Sequence, residues 1–125
     1  MIKIIFLSLI LFLPLKATET YIVLKVNNEI ITNIDIENET RYLVALNNEL
    51  KDTDKNTLNN LAKESLIREK IKKDAVSKYY SLNSIEEYID VIIKSYYEKL
   101  EINSLDSFLL YLKEYNLELD IVKKK

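Results

Sequence analysis

Cysteine, glycine, histidine and tryptophan are all missing from these 125 residues, and proline occurs once, at Pro14. Each gap removes a class of chemistry. Without glycine there is no phosphate-cradling loop and no dinucleotide fingerprint, because both need backbone that a Cβ would obstruct. Without histidine or cysteine, neither the usual zinc sites nor a Ser-His or Cys-His nucleophile pair can be assembled. The remaining carboxylates sit among lysines at helical spacing, the pattern of a solvated face rather than of an acid–base pair. No catalytic residue, no metal site and no cofactor is expected. Isoleucine, asparagine, lysine and tyrosine dominate instead, as an AT-rich coding sequence would give. The scarcity of glycine therefore speaks against glycine-dependent chemistry more than it speaks about fold.

The chain opens with Lys3, an apolar run from Ile4 to Leu13 broken only by Ser8, then Pro14 and Leu15-Lys16-Ala17. Positive charge, apolar stretch and small residue in that order are the plan of a secretory signal peptide spanning residues 1–17, with cleavage between Ala17 and Thr18. The run is shorter than the roughly 20 apolar residues that cross a bilayer. An uncleaved anchor is the alternative, with Lys16 beside the cleavage point in its favour. The segment from Thr18 to Lys125 is one domain's worth of chain. It keeps 16 basic and 20 acidic residues, a net charge of −4. A mildly acidic surface does not favour nucleic acid or anionic lipid as partner, and no stable membrane insertion is expected once the signal is cleaved. A small exported domain without disulfides is held by its core alone, which suits the periplasm of a Gram-negative bacterium.

A β-hairpin comes first. Tyr21 to Val26 is rich in β-branched and aromatic residues, Asn27-Asn28 can make the turn, and Glu29-Ile30-Ile31 returns. Thr32 and Asp35 have the spacing of a reciprocal cap, opening a helix from about Asn33 to Asn48 with Ile36, Leu43, Leu46 and Leu50 on one side. A polar loop follows over Asn47 to Thr57. The second helix is expected over Asp54 to Tyr80. Its first half offers Leu58, Leu61, Ala62 and Ser65, while Ile67, Ile71 and Ala75 lie on nearly the opposite side. Such a helix would be central, touched by different neighbours along its length. Ser84-Ile85-Glu86-Glu87 is a capping box starting a third helix to about Glu101. Its apolar positions Ile85, Tyr88, Ile89, Ile92, Ile93, Tyr96, Tyr97 and Leu100 cover about half the circumference, wider than the ~100° stripe of a surface helix. Asn103-Ser104 opens a fourth helix with Leu105, Phe108, Leu109, Leu112 and Tyr115. Residues 116–125 read as the first turns of another helix. The fold class is mainly α, a short hairpin followed by about four helices.

The order of these features, from a signal through Val23-Leu-Lys-Val-Asn-Asn-Glu-Ile-Ile-Thr-Asn-Ile-Asp to Leu66-Ile-Arg-Glu-Lys-Ile71, Ser84-Ile-Glu-Glu and Ser104-Leu-Asp-Ser-Phe-Leu, resembles the N-terminal domain of SurA-type periplasmic chaperones and the related parvulin-linked foldases. The resemblance spans nearly all of the chain after the signal. It implies a helical module that holds unfolded outer-membrane β-barrel proteins without ATP. In that family parvulin domains add peptidyl-prolyl isomerase activity, but a parvulin domain takes roughly ninety residues and histidines, and neither is available here. The isomerase activity is therefore not carried over, and residues 18–125 are either an N-terminal piece of a longer protein, the favoured expectation, or a holding module encoded by itself.

A holding protein needs uncovered apolar surface and enough charge to stay soluble. Tyrosine fits, because its ring packs while its hydroxyl stays wet. Tyr79, Tyr80, Tyr96, Tyr97, Phe108, Tyr111 and Tyr115 are the candidate client-binding residues, although core positions on apolar faces would use the same residues. The lysine runs at 70–73 and 123–125 read as solvated helix faces. Two further readings remain: an N-terminal fragment of a parvulin-type isomerase whose catalytic domain lies beyond residue 125, and a small exported interaction domain. The latter would self-associate through the wide face of the third helix or the Ile121-Val122 edge.

Overall fold

A two-residue turn at Asn27-Asn28 joins β1 (Ile22–Val26) to β2 (Glu29–Thr32) as an antiparallel hairpin. These are the first elements of a computed structural model that describes residues 19–78 and 86–125, apart from the side chains of Glu86 and Glu87. The expected signal segment with its expected Ala17-Thr18 cleavage point, the Tyr79-Tyr80 pair and the Ser84-Ile85 start of the expected capping box lie outside the described residues. Asn27 takes the positive φ of 52° that asparagine tolerates best after glycine. An irregularity between Ile22 and Leu24 shifts the register, so that Leu24 faces Ile31 while Ile22 faces Thr32.

Thr32 ends the hairpin and caps α1 (Asn33–Leu46) in the anticipated reciprocal way. Its Oγ1 accepts from the Asp35 N–H at 3.2 Å, and Asp35 Oδ2 accepts from the Thr32 N–H at 2.7 Å. Asn33 then ties the incoming strand to the helix: its Oδ1 accepts from the Tyr21 N–H at 2.8 Å. The helix stops at Leu46, two residues before the expected end, because a 3-10 turn over Asn48–Leu50 takes up the chain. Asp54 caps α2 (Lys55–Ser77), accepting from the backbone of Asn56 and Thr57. Helices α3 (Glu86–Lys99), α4 (Leu105–Glu114) and α5 (Leu119–Lys123) follow, so the described residues hold five α-helices where about four were expected. The molecule is mainly helical with an N-terminal hairpin.

Two apolar clusters hold these elements. The hairpin, α1 and α2 enclose Ile31, Ile36, Ala62 and Leu66, with Val23, Leu24, Leu43 and Ile67 around them. The second cluster gathers Ala45, Ile93, Phe108, Leu112, Leu117 and Val122 from α1, α3, α4 and the α5 segment. Helix α1 serves both, Ile36 and Leu43 facing one and Tyr42, Ala45 and Leu46 the other.

Three details depart from the sequence expectation. Residues 71–77 of α2 are exposed throughout, so Ile71 and Ala75 are not pressed against a second neighbour. The half-circumference stripe of α3 is also divided. Ile89, Ile93, Tyr96, Tyr97 and Leu100 pack inward, whereas Tyr88 and Ile92 stay in solvent with Val91. Third, Val122 is not an edge but core, because the chain doubles back after α4 and inserts it beside Leu117.

That reversal is made without glycine. Asn116, at φ 52°, places its N–H on the Lys113 carbonyl at 3.0 Å, and Leu117 reaches the Leu112 carbonyl at 3.0 Å. Glu101, at φ 61°, ends α3 identically, its N–H on Glu98 and that of Ile102 on Tyr97. Both are Schellman terminations, in which a left-handed residue lets the chain turn back and satisfy orphan carbonyls. For a residue with a Cβ this conformation costs about 1–2 kcal/mol.

Candidate functional site

Side chains four apart on a helix stack on one face, so Tyr111 and Tyr115 of α4 stand together, with ring centroids 5.1 Å apart and planes tilted by 52°. Phe108, one turn earlier, lies 6.5 Å from Tyr111 and nearly parallel to it. Across the helix interface Tyr97 of α3 meets Phe108 at 5.9 Å. The structure therefore brings four of the seven candidate residues into one aromatic seam. Phe108 is its sealed root, with no exposed surface, so as placed its ring offers nothing for a client to touch. Tyr97, Tyr111 and Tyr115 are half-buried at the rim.

The rim is further occupied. The Tyr111 hydroxyl donates to the Ala45 carbonyl at 2.7 Å, joining α4 to the end of α1. The Lys51 ammonium sits 5.9 Å from the Tyr111 centroid and 6.0 Å from that of Tyr115, a cation held over ring faces. Burial first, then the neighbouring Tyr115 hydroxyl, pushes the Tyr111 phenol well above the ordinary tyrosine range. Tyr97 borders an open recess of about 440 Å³ that it shares with Lys94, Glu98, Glu101, Ile102 and Asn103. Tyr96 packs on the same second cluster but pairs with none of the seam's rings. Its hydroxyl lies next to Tyr42, whose phenol is raised by burial first and by Tyr96 second. Tyr79 and Tyr80 lie outside the described residues.

The freely available apolar surface belongs mostly to residues that were not candidates. Tyr88, Val91 and Ile92 form a stripe at i, i+3 and i+4 on the outer face of α3, with Tyr88 64% exposed and Val91 65% exposed. Leu110 on α4 is 64% exposed, and Tyr21, Ile22 and Ile30 stand out from the hairpin. A signal for the α3 stripe existed in the sequence. An apolar arc of half a circumference exceeds what one neighbouring layer covers, and the surplus had to face water or a partner.

Charge placement also differs from a uniformly solvated surface. Glu39 on α1 is only 1% exposed. Its position, three residues after Ile36 and four before Leu43, falls on the apolar stripe, which is the sequence signal for a buried carboxylate. Ser65 donates to its Oε1 at 2.6 Å, and the Lys125 ammonium pairs with its Oε2. Lys125 also pairs with Glu69, and Lys70 with Glu29. Two lysines from the runs expected to be solvated are thus engaged. Burial acts against the Lys125 charge, but the hydrogen bonds and charges of Glu39 and Glu69 outweigh it and raise the ammonium above its usual value. Lys70 similarly holds the Glu29 carboxyl below its ordinary value.

Among the described residues, no group of three or more histidine, cysteine, aspartate or glutamate side chains is arranged to hold a metal ion. No helix there is long and apolar enough to cross a membrane. The described surface offers rings with wet rims, open aliphatic stripes and interspersed charge. No protein-family model, no curated protein and no solved structure matches this chain.

Proposed function

We propose that this chain is an ATP-independent holding module, exported to the periplasm, that grips unfolded outer-membrane proteins in the manner of the SurA N-terminal domain it resembles in sequence. The observation that carries the reading is the outer stripe of α3, where Tyr88, Val91 and Ile92 stand uncovered on a helix whose other face is already packed. Outer-membrane strands alternate apolar and polar residues and carry aromatic girdles. An exposed aromatic and aliphatic surface matches them without reading a sequence code. The surrounding charges, such as Asp90 and Lys94 on the same helix, keep such a surface in solution. No isomerase chemistry is assigned to residues 18–125, and a proline-isomer assay on this segment should read blank.

The test is suppression of aggregation. The purified segment from Thr18 onward should slow aggregation of an unfolded outer-membrane β-barrel protein at near-stoichiometric amounts, and Val91→Asp with Ile92→Asp should abolish the effect. Failure at several-fold excess removes the reading. The rival reading, a fixed interaction domain, uses the same stripe for a permanent partner. A tight dimer in solution that the two aspartates dissolve would decide for it. Export is tested separately, by finding Thr18 as the first residue of the protein recovered from the periplasm.

A further inference from the structure

Helix α5 has five residues, and Glu118 at its start makes no side-chain cap. Isolated helices below about 12–15 residues are marginal in water, so this segment is ordered by its anchors. Two anchors are apolar. Leu117 and Val122 lie against Ala45, Ile93, Phe108 and Leu112 and complete that cluster. The third is ionic. Lys125 reaches back to Glu39 on α1 and Glu69 on α2, with its ammonium 5.6 Å from the Tyr42 ring.

The ionic anchor is unusual in its burial. Glu39 is almost wholly shielded, and its Oε2 makes no well-angled hydrogen bond among the described residues, leaving the Lys125 ammonium as its counter-charge. Desolvation offsets most of the attraction in such a pair, so it adds little net stability while it is closed. Removing one partner, by contrast, strands a buried charge. That asymmetry makes a good latch and a poor cement. Beside it lies a cavity of about 230 Å³, bordered by Ile30, Ile31, Leu66 and Ile121 together with Glu39 and Lys125. Asp35, Glu69, Lys70 and Lys124 also face that space. Part of the segment's underside therefore borders space rather than close-packed atoms, which forfeits dispersion contacts there.

We propose that residues 117–125 form a strap, latched by Lys125 on the Glu39–Glu69 carboxylate pair, whose release uncovers the apolar cluster around Phe108 for capture of an extended apolar polypeptide. The capture half of this statement rests on the holding function proposed above. The strap itself does not.

Hydrogen exchange read by mass spectrometry tests the strap without any client. In Lys125→Gln, amides of residues 117–123 should exchange at least tenfold faster while those of α1 and α2 keep their protection. Lys125→Arg should restore the original pattern. Combining Lys125→Gln with Glu39→Gln should recover part of the protection, since a neutral amide no longer needs the cation. Strap amides that exchange only in step with α1 and α2, in the parent and in Lys125→Gln alike, overturn the strap. The second readout is aggregation of an unfolded β-barrel protein. Holding by the parent that rises several-fold in Lys125→Gln is the expected result. Equal holding by both, with the strap open in the variant, overturns its gating role. Absence of holding in both removes the holding function and the capture half together, and the exchange data still decide the strap.

Discussion

Phe108→Ala measures how completely the ring is sealed while residues 117–125 are in place. The side chain is fully enclosed between Tyr97 and Tyr111 and touches the core on every side. An aromatic side chain buries roughly 150–250 Å², which at about 25 cal/mol per Å² corresponds to ~4–6 kcal/mol of transfer energy. Alanine keeps the Cβ, and neighbours collapse only partly into the void, so measured Phe→Ala costs run about 3–5 kcal/mol. Loss of the two ring contacts adds to the cost, and we expect about 4 kcal/mol. A domain of this size has on the order of 5–15 kcal/mol in total, so the variant should fold but with a much lower urea midpoint and an unchanged m-value. Tyr115→Ala, at the rim, should cost about 1 kcal/mol and be felt mainly in aggregation suppression. A loss below ~1.5 kcal/mol for Phe108→Ala would refute the reasoning, because a ring removed that cheaply was not sealed.

Other substitutions probe single features. Glu101→Gly should stabilise the protein by roughly 0.5–1 kcal/mol in urea titration, because glycine takes the left-handed conformation without a Cβ clash, less its greater unfolded-state entropy. Tyr111→Phe removes the bond to the Ala45 carbonyl and should cost about 1 kcal/mol, visible as faster amide exchange at the junction of α1 and α4. The Asp54 carboxyl is held below its usual value by the Thr57 hydroxyl and the backbone of Thr57 and Asn56. The cap is therefore complete above the ordinary aspartate pKa and is lost as pH falls through the depressed one, which proton-exchange NMR at Asn56 and Thr57 should show, while Asp54→Ala shows the same fraying at neutral pH. At the alkaline end, Tyr42 and Tyr111 have folded values above the unfolded one near 10. Their contribution is intact below about pH 10 and disappears as pH rises towards the folded values, so tyrosinate absorbance should report two late-titrating phenols that ionise together with unfolding.

Local chemistry written in adjacent residues was readable in advance. The Thr32–Asp35 exchange, the Asn27 turn and the Ser104 cap on α4 are each decided within four residues, and each is present. The Schellman turns are silent in the sequence because their usual marker, glycine, is replaced by Glu101 and Asn116. Periodicity placed Phe108 and Leu112 on one face of α4 but could not tell core from rim. Nor could it foresee that α3 would bury one part of its wide arc and leave Tyr88 and Ile92 out. Burial of Glu39 was implied by its position on a stripe, whereas its counter-charge stands 86 positions away and depends on the reversal at Asn116. The aromatic seam was legible as residues, and its partial closure by Lys51 and Ala45 was not.

One rod, α1, carries side chains into two separate oily interiors. Whatever tilts or slides it is transmitted to both, so a load placed on the later helices reaches the packing of the distant hairpin. Such a layout makes the molecule a pair of kernels on a common axle, where a disturbance of one is felt at the other.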